Sequence, residues 1–224
     1  MPEKRNLPKR FELLVFDWDG TLMDSAAVIV AALRAGCSDL GLAVPSEESA
    51  RYVIGLGLSD AMAHILPGVD PEAYPRIAER YRVHFLEQDS GTALFPGAAD
   101  LVAALHDAGF QLGVATGKGR RGLERALAAT GLKQYFHATR CADEGFSKPH
   151  PGMLEALMVE LDVGPERTLM IGDTTHDMEM ARAAGVARIG VAYGAHAKAG
   201  LLDCQPLACV EDIAELRQWL FRHA

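Results

Sequence analysis

Cysteine is scarce in this chain: Cys37, Cys141, Cys204 and Cys209 are four among 224 residues, and no two stand as a C-x-x-C pair. That density excludes a small disulfide scaffold and offers no zinc-binding spacing, so reduced thiols in the cytoplasm are the expectation. An excess of positive charge is missing too. The formal net charge is −8 and the pI is near 5.5, whereas a nucleic-acid partner calls for a basic face. No apolar run is long enough to span a membrane, and none follows the basic MPEKRNLPKR before Asp17. That start is therefore read neither as a secretory signal nor as an anchor.

What the chain has is 49% hydrophobic residues, enough for one large domain or a core carrying an insertion. Short apolar runs end in small or acidic residues and are followed by helical patterns, which signals a parallel α/β sheet, doubly wound and Rossmann-like. Strands are expected at Glu12–Phe16, Gln111–Ala115, His137–Cys141, Thr168–Ile171, Ala187–Val191 and Leu207–Val210. Pro96 with Gly97, Gly109, Gly131, Pro151 and Gly185 punctuate the helices between them.

From Asp24 to Thr92 no β-rich run occurs and helical segments follow one another. Ser46, Ser59 and Asp70 suit N-caps, and Pro71 suits a first helical turn. The division is thus an α/β core of residues 1–23 and 93–224, interrupted by an all-helical cap of residues 24–92. Hinges are expected near Met23–Asp24 and in DSGTALFPG, with Gly91, Pro96 and Gly97.

Ligands collect at the carboxyl edge of a parallel sheet. Just past the expected strands, or before a helix, stand Asp17-Trp18-Asp19-Gly20-Thr21, Thr116-Gly117-Lys118, Ser147-Lys148-Pro149 and Gly172-Asp173-Thr174-Thr175-His176-Asp177. Four carboxylates at one edge need a cation to stay ionised together. Oxygen ligands, with neither Cys nor paired His, suit Mg²⁺, which commonly engages a substrate phosphate.

In this order DWDGT, ATG, SKP and GDTTHD resemble the four motifs of the haloacid dehalogenase superfamily, and the likeness extends to the helical cap after the first motif. The phosphoglycolate phosphatase-like group is the most similar. The resemblance implies Asp17 as a nucleophile forming an aspartyl-phosphate and Asp19 as the acid and then the base. Mg²⁺ would be held by Asp17, the Asp19 main-chain carbonyl and Asp173, with Asp177 as a further ligand or as support behind the ligands. Trp18 through its amide, Thr116, Gly117 through its amide, and Lys148 would hold the phosphoryl oxygens. Arg51 and Gly55, Leu56, Gly57, Leu58 and Ser59 would face the leaving group from the cap. Gly55 and Gly57 by themselves do not make a dinucleotide loop.

Several residues carry plainer expectations. His176 reads as solvent-exposed or as part of a helix start, and His150 similarly; Asp24 and Ser25 read as caps of the first cap helix, and the Trp18 indole as packing. Asp19 argues against a dehalogenase, which has no leaving alcohol to protonate. The absence of lysine from Asp24 to Thr92 argues against the phosphonate-cleaving relatives, which use a cap lysine. Ala26-Ala27-Val28-Ile29 stands where sugar-phosphate mutases of the family carry a histidine. Gly117 departs from the Asn common in phosphoglycolate phosphatases. The expectation is a cytoplasmic, Mg²⁺-dependent phosphomonoester phosphatase acting on a small phosphorylated metabolite, as monomer or homodimer, without nucleic-acid or membrane partners. A sugar-phosphate mutase and a non-catalytic binding protein on this scaffold are the alternatives.

Overall fold

The computed structural model describes residues 9–89 and 92–224; the hinge expected at Gly91 and the first eight residues of the basic start lie outside them. Among the described residues the strands are β1 Leu13–Phe16, β2 Gln111–Thr116, β3 Ala138–Cys141, β4 Thr168–Gly172, β5 Ala187–Val191 and β6 Ala208–Val210. They form one six-stranded sheet in the order β3-β2-β1-β4-β5-β6, every neighbouring pair parallel. The expected strands are all present. Their ends differ by a residue: Glu12, His137 and Leu207 stay outside, whereas Thr116 and Gly172 extend β2 and β4.

β1 is apolar throughout because it is covered on both faces. Leu14 and Phe16 point to one side, with Leu101, Val102, Leu123, Leu216 and Leu220. Leu13 and Val15 point to the other, with Met153, Leu154, Leu157 and Met180, as a period of two requires. The first layer comes from α5 Ala98–Asp107, α6 Arg120–Thr130 and α10 Ile213–His223, and the second from α7 Gly152–Leu161 and α8 Thr175–Ala183, while the short α9 Lys198–Asp203 packs against α8, β5 and β6.

Between β1 and β2 the chain builds the other helices of this half, α1 Ala26–Asp39, α2 Glu47–Tyr52, α3 Leu58–Ile65 and α4 Tyr74–Asp89. They close around their own cluster, including Ile29, Leu33, Cys37, Met62, Ile77 and Phe85. Two short crossings join this insertion to the sheet: Asp24 N donates to Ala93 O and Phe95 N to Leu22 O, each at 2.9 Å. Ser46 and Asp70 cap as expected, accepting from Ser49 N and Glu72 N. Ser59 does not: Gly57, in an extended conformation, is the N-cap of α3, which puts Ser59 inside the first turn. Ser25 occupies the cap position of α1 without capping it, because its hydroxyl is used elsewhere.

Candidate active site

Register brings the motif residues together. Phe16 lies level with Val114 on β2 and Ile171 on β4, so Asp17 emerges at the carboxyl edge beside the point where the strand order reverses. Asp17 is fully buried and Asp19 is 7% exposed. The Trp18 amide donates to Asp17 Oδ1 at 2.6 Å, while its indole is buried edge-on to Phe136. Gly20 has φ +84, and a Cβ there would overlap the Asp173 carboxylate. Only glycine lets the chain turn away at that point.

From the far side β4 delivers Asp173, and the start of α8 delivers Asp177. Thr21 Oγ1 and Ala195 N donate to the two oxygens of Asp173 at 2.8 and 2.7 Å. Asp177 Oδ2 accepts from Thr174 N and Oγ1 at 3.0 and 2.7 Å, and its own amide donates back to Thr174 Oγ1. This reciprocal cap spends one oxygen on the helix start and leaves Oδ1 facing the cluster. Asp17, Asp173 and Asp177 each offer an oxygen within 4.8 Å of the others, all buried. Asp19 is outside that carboxylate group.

Lys148 is enclosed with them. Its Nζ lies 2.9 Å from Asp17 Oδ1 and 2.6 Å from Asp177 Oδ1. Burial opposes its charge, yet the two carboxylates outweigh burial and raise its pKa. Burial, reinforced by Asp177 and Asp173 and opposed by Lys148, holds the Asp17 carboxyl well above the usual range. Burial and then Asp177 push Asp173 up to about 7. One ammonium does not balance three buried carboxylates, and Asp17 Oδ2 has no hydrogen-bond partner. A divalent, oxygen-seeking cation fits this donor set.

Thr116 is 1% exposed and its Oγ1 accepts from Lys118 N at 3.2 Å. The Lys118 ammonium reaches both oxygens of Asp19, at 3.0 and 2.9 Å, and the Ser25 hydroxyl donates to Asp19 Oδ1 at 2.8 Å. Sequence reasoning gave Lys118 no role. Lys118, just before α6, and Arg121, Gly122 and Arg125 within it all line the cavity above the site.

The insertion sits directly over these groups. A Cβ on Gly117 would overlap the carbonyl oxygens of Gly55 and Leu56, Gly57 faces Ser147 and Ala142, and Gly55 faces Thr174. Ser147 Oγ donates to Asp60 of α3. His176 is at a helix start but not exposed: it is 4% accessible, and its Nε2 donates to Tyr52 O at 2.7 Å. His196 Nε2 donates to the same carbonyl at 3.0 Å, and its ring stacks on that of Tyr52. His150 is exposed, its Nδ1 accepting from Gly152 N. Arg51 pairs with Glu47 at 3.6 Å and is not among the cavity-lining residues, whereas Gly55, Leu56, Gly57, Leu58 and Ser59 are. The cavity holds about 840 Å³ between Asp17, Asp19 and Thr116 below and Ile29, Leu33 and Phe85 above.

The sequence of residues 14–191 matches the model of the haloacid dehalogenase-like hydrolases. The chain belongs to that family. Among curated proteins, the probable phosphatase IndB of Dickeya dadantii is 36% identical over 209 residues, 91% of each chain. The phosphoglycolate phosphatase of Salmonella typhimurium is 32% identical over 206 residues, 81% of each. Among solved structures, a hydrolase from Pseudomonas syringae superposes with a TM-score of 0.88 at 22% identity, over 95% of this chain and 99% of that one. Like its haloacid dehalogenase-like relatives, the chain is an enzyme of the phosphatase type. No helix among the described residues is long and apolar enough to cross a membrane.

Proposed function

We propose that this hydrolase is a Mg²⁺-dependent phosphomonoesterase acting on a small phosphorylated metabolite, with residues 24–92 as a cap domain and the remainder as its catalytic core. The observation that carries the reading is the buried set of Asp17, Asp173, Asp177 and Lys148 at the sheet edge. Asp17, Asp173 and the Asp19 carbonyl would hold Mg²⁺, with Asp177 as a further ligand or a support. The ion would neutralise the carboxylates and the charge of a bound phosphate.

Asp17 attacks phosphorus and the bond to the leaving oxygen breaks, while Asp19 supplies that oxygen with a proton. Asp19, now a carboxylate, takes a proton from the water that attacks the aspartyl-phosphate. Phosphate departs, Asp17 is regenerated, and Asp19 holds the proton again. Lys148, Thr116 and the amides of Trp18 and Gly117 would meet the charge on the transferring group's oxygens.

The relatives' names support a phosphorylated small molecule, phosphoglycolate among them. The cavity volume of about 840 Å³ falls in the upper part of the range for organic ligands, about 300–1,000 Å³. A two-carbon acid fills a small part of it, so leaving groups longer than glycolate's fit beneath Ile29, Leu33 and Phe85.

Hydrolysis of 4-nitrophenyl phosphate with and without EDTA tests the reaction, and a panel of phosphoglycolate, sugar phosphates, nucleoside monophosphates and pyrophosphate tests the substrate. Asp17→Asn is expected to lower kcat by at least about 10⁴-fold while the protein stays folded. Metal-independent turnover, or full activity of folded Asp17→Asn, counts against the mechanism.

A further inference from the structure

Lys118 is a half-buried cation on the cavity floor that the four motifs leave without a duty. Its side chain is 11% exposed and that of its partner Asp19 is 10% exposed. The ammonium bonds both Asp19 oxygens and stands 4.7 Å from the centre of the Phe85 ring of α4. Gly122 leaves room for its stem: a Cβ there would come within 3.0 Å of Lys118 Cγ. The core thus supplies a channel below, the insertion an aromatic face above, and Asp19 the end point. An exposed lysine pair returns little for the side-chain freedom it loses; this one is largely withdrawn from bulk solvent.

We propose that Lys118 is a positioning residue, which holds the Asp19 carboxylate against rotation and, through Phe85, makes that hold depend on α4 lying over the core. The inference rests on the reading of Asp19 as the proton carrier. Ser25 bonds a single oxygen of Asp19, and a carboxylate gripped at one oxygen can still turn about it; Lys118 supplies the contact to the other. When α4 moves off, Phe85 leaves the ammonium and water reaches the pair, which weakens it. Asp19 is then aligned only while the site is enclosed, and proton transfer is confined to the state that excludes bulk water.

Lys118→Met keeps the stem and removes the charge, and circular dichroism and thermal melting establish that the variant is folded. Steady-state kinetics with Mg²⁺ on aryl phosphates of graded leaving-group basicity then read its effect. The expected result is a fall in kcat and kcat/KM of about 10- to 100-fold, part of what general acid–base catalysis supplies. The fall should be larger for more basic leaving groups, with KM and inhibition by inorganic phosphate unchanged. Lys118→Arg, whose planar fork also spans both carboxylate oxygens, should recover most of the loss. Phe85→Leu should show a smaller loss of the same pattern, and no further loss when added to Lys118→Met.

Weakened inorganic phosphate binding with kcat retained would make Lys118 a phosphate ligand and overturn the proposal. So would a loss of equal size for every leaving group, and additive effects of Phe85→Leu and Lys118→Met would overturn the link to α4. A wild-type protein that turns over none of these esters removes the phosphatase reading itself, an outcome distinct from the other three.

Discussion

At Gly117 a side chain has no room, because a Cβ meets the carbonyl oxygens of Gly55 and Leu56. Gly117→Asn, the residue common in phosphoglycolate phosphatases, should therefore push the 55–58 loop off the core. Overpacking of this kind costs about 1–3 kcal/mol, here charged to the seating of the loop. The expected outcome is a drop in kcat/KM of about 10-fold, shared by Gly117→Ala, with melting little changed if the insertion keeps its own cluster. Unaltered kinetics in both variants would mean that the loop yields without consequence. Residues of this site at or just past a strand end were legible in the sequence: Asp17, Asp19, Thr116 and Asp173 stand where an apolar run stops. Lys118, Ser25 and His176 were not, because their surroundings belong to segments distant in sequence. Nothing local tells that Phe85 will cover Lys118, or that Tyr52 O will lie against His176.

At the level of elements, α2 is fastened to the core through one carbonyl. His196 Nδ1 accepts from Thr175 N at 3.0 Å, which leaves the proton on Nε2 for Tyr52 O; His176 approaches from α8. Burial lowers the pKa of both rings, favouring the neutral forms these bonds use. A net hydrogen bond contributes about 1 kcal/mol and a ring contact about 0.5–1.5 kcal/mol. His196→Ala should thus shift the seated-to-lifted ratio by about 10- to 70-fold, seen as faster amide hydrogen exchange across residues 52–57 and a larger radius of gyration in solution scattering. Unchanged exchange would show that the remaining contacts of the loop suffice. The elements themselves were readable, since strands covered on both faces leave continuous apolar runs and caps such as Ser46 and Asp70 act locally. Ser59 misled because Gly57 starts α3 earlier, and a glycine cap carries no side-chain signal of its own.

For the molecule as a whole, the acid cluster makes stability depend on pH and on metal together. The Asp173 carboxyl titrates near 7 in the fold against an ordinary 3.8, and Asp17 is raised in the same direction. Well below 3.8, the ordinary carboxyl value, both carboxyls are protonated folded or unfolded and contribute no pH dependence. As pH rises from about 4 to 7 the unfolded chain releases protons that the fold retains, so the cluster's contribution to metal-free stability falls, and the share due to Asp173 is fully present above about 7. A cation that binds the ionised cluster reverses this. In EDTA the melting temperature, taken relative to Asp173→Asn so that the opposite contribution of the buried His176 and His196 cancels, should therefore decline from about pH 5 to about pH 8, and saturating Mg²⁺ should raise it more at the higher pH. At 100 times Kd the gain is about 2.7 kcal/mol, or roughly 5–10 °C for a chain of this length. Asp173→Asn removes the raised carboxyl and should lose this declining component while abolishing most of the Mg²⁺ response. A wild-type melting temperature that does not fall with pH relative to that of Asp173→Asn in EDTA, or a Mg²⁺ increment independent of pH, would mean that these carboxylates are not the groups linking metal to fold.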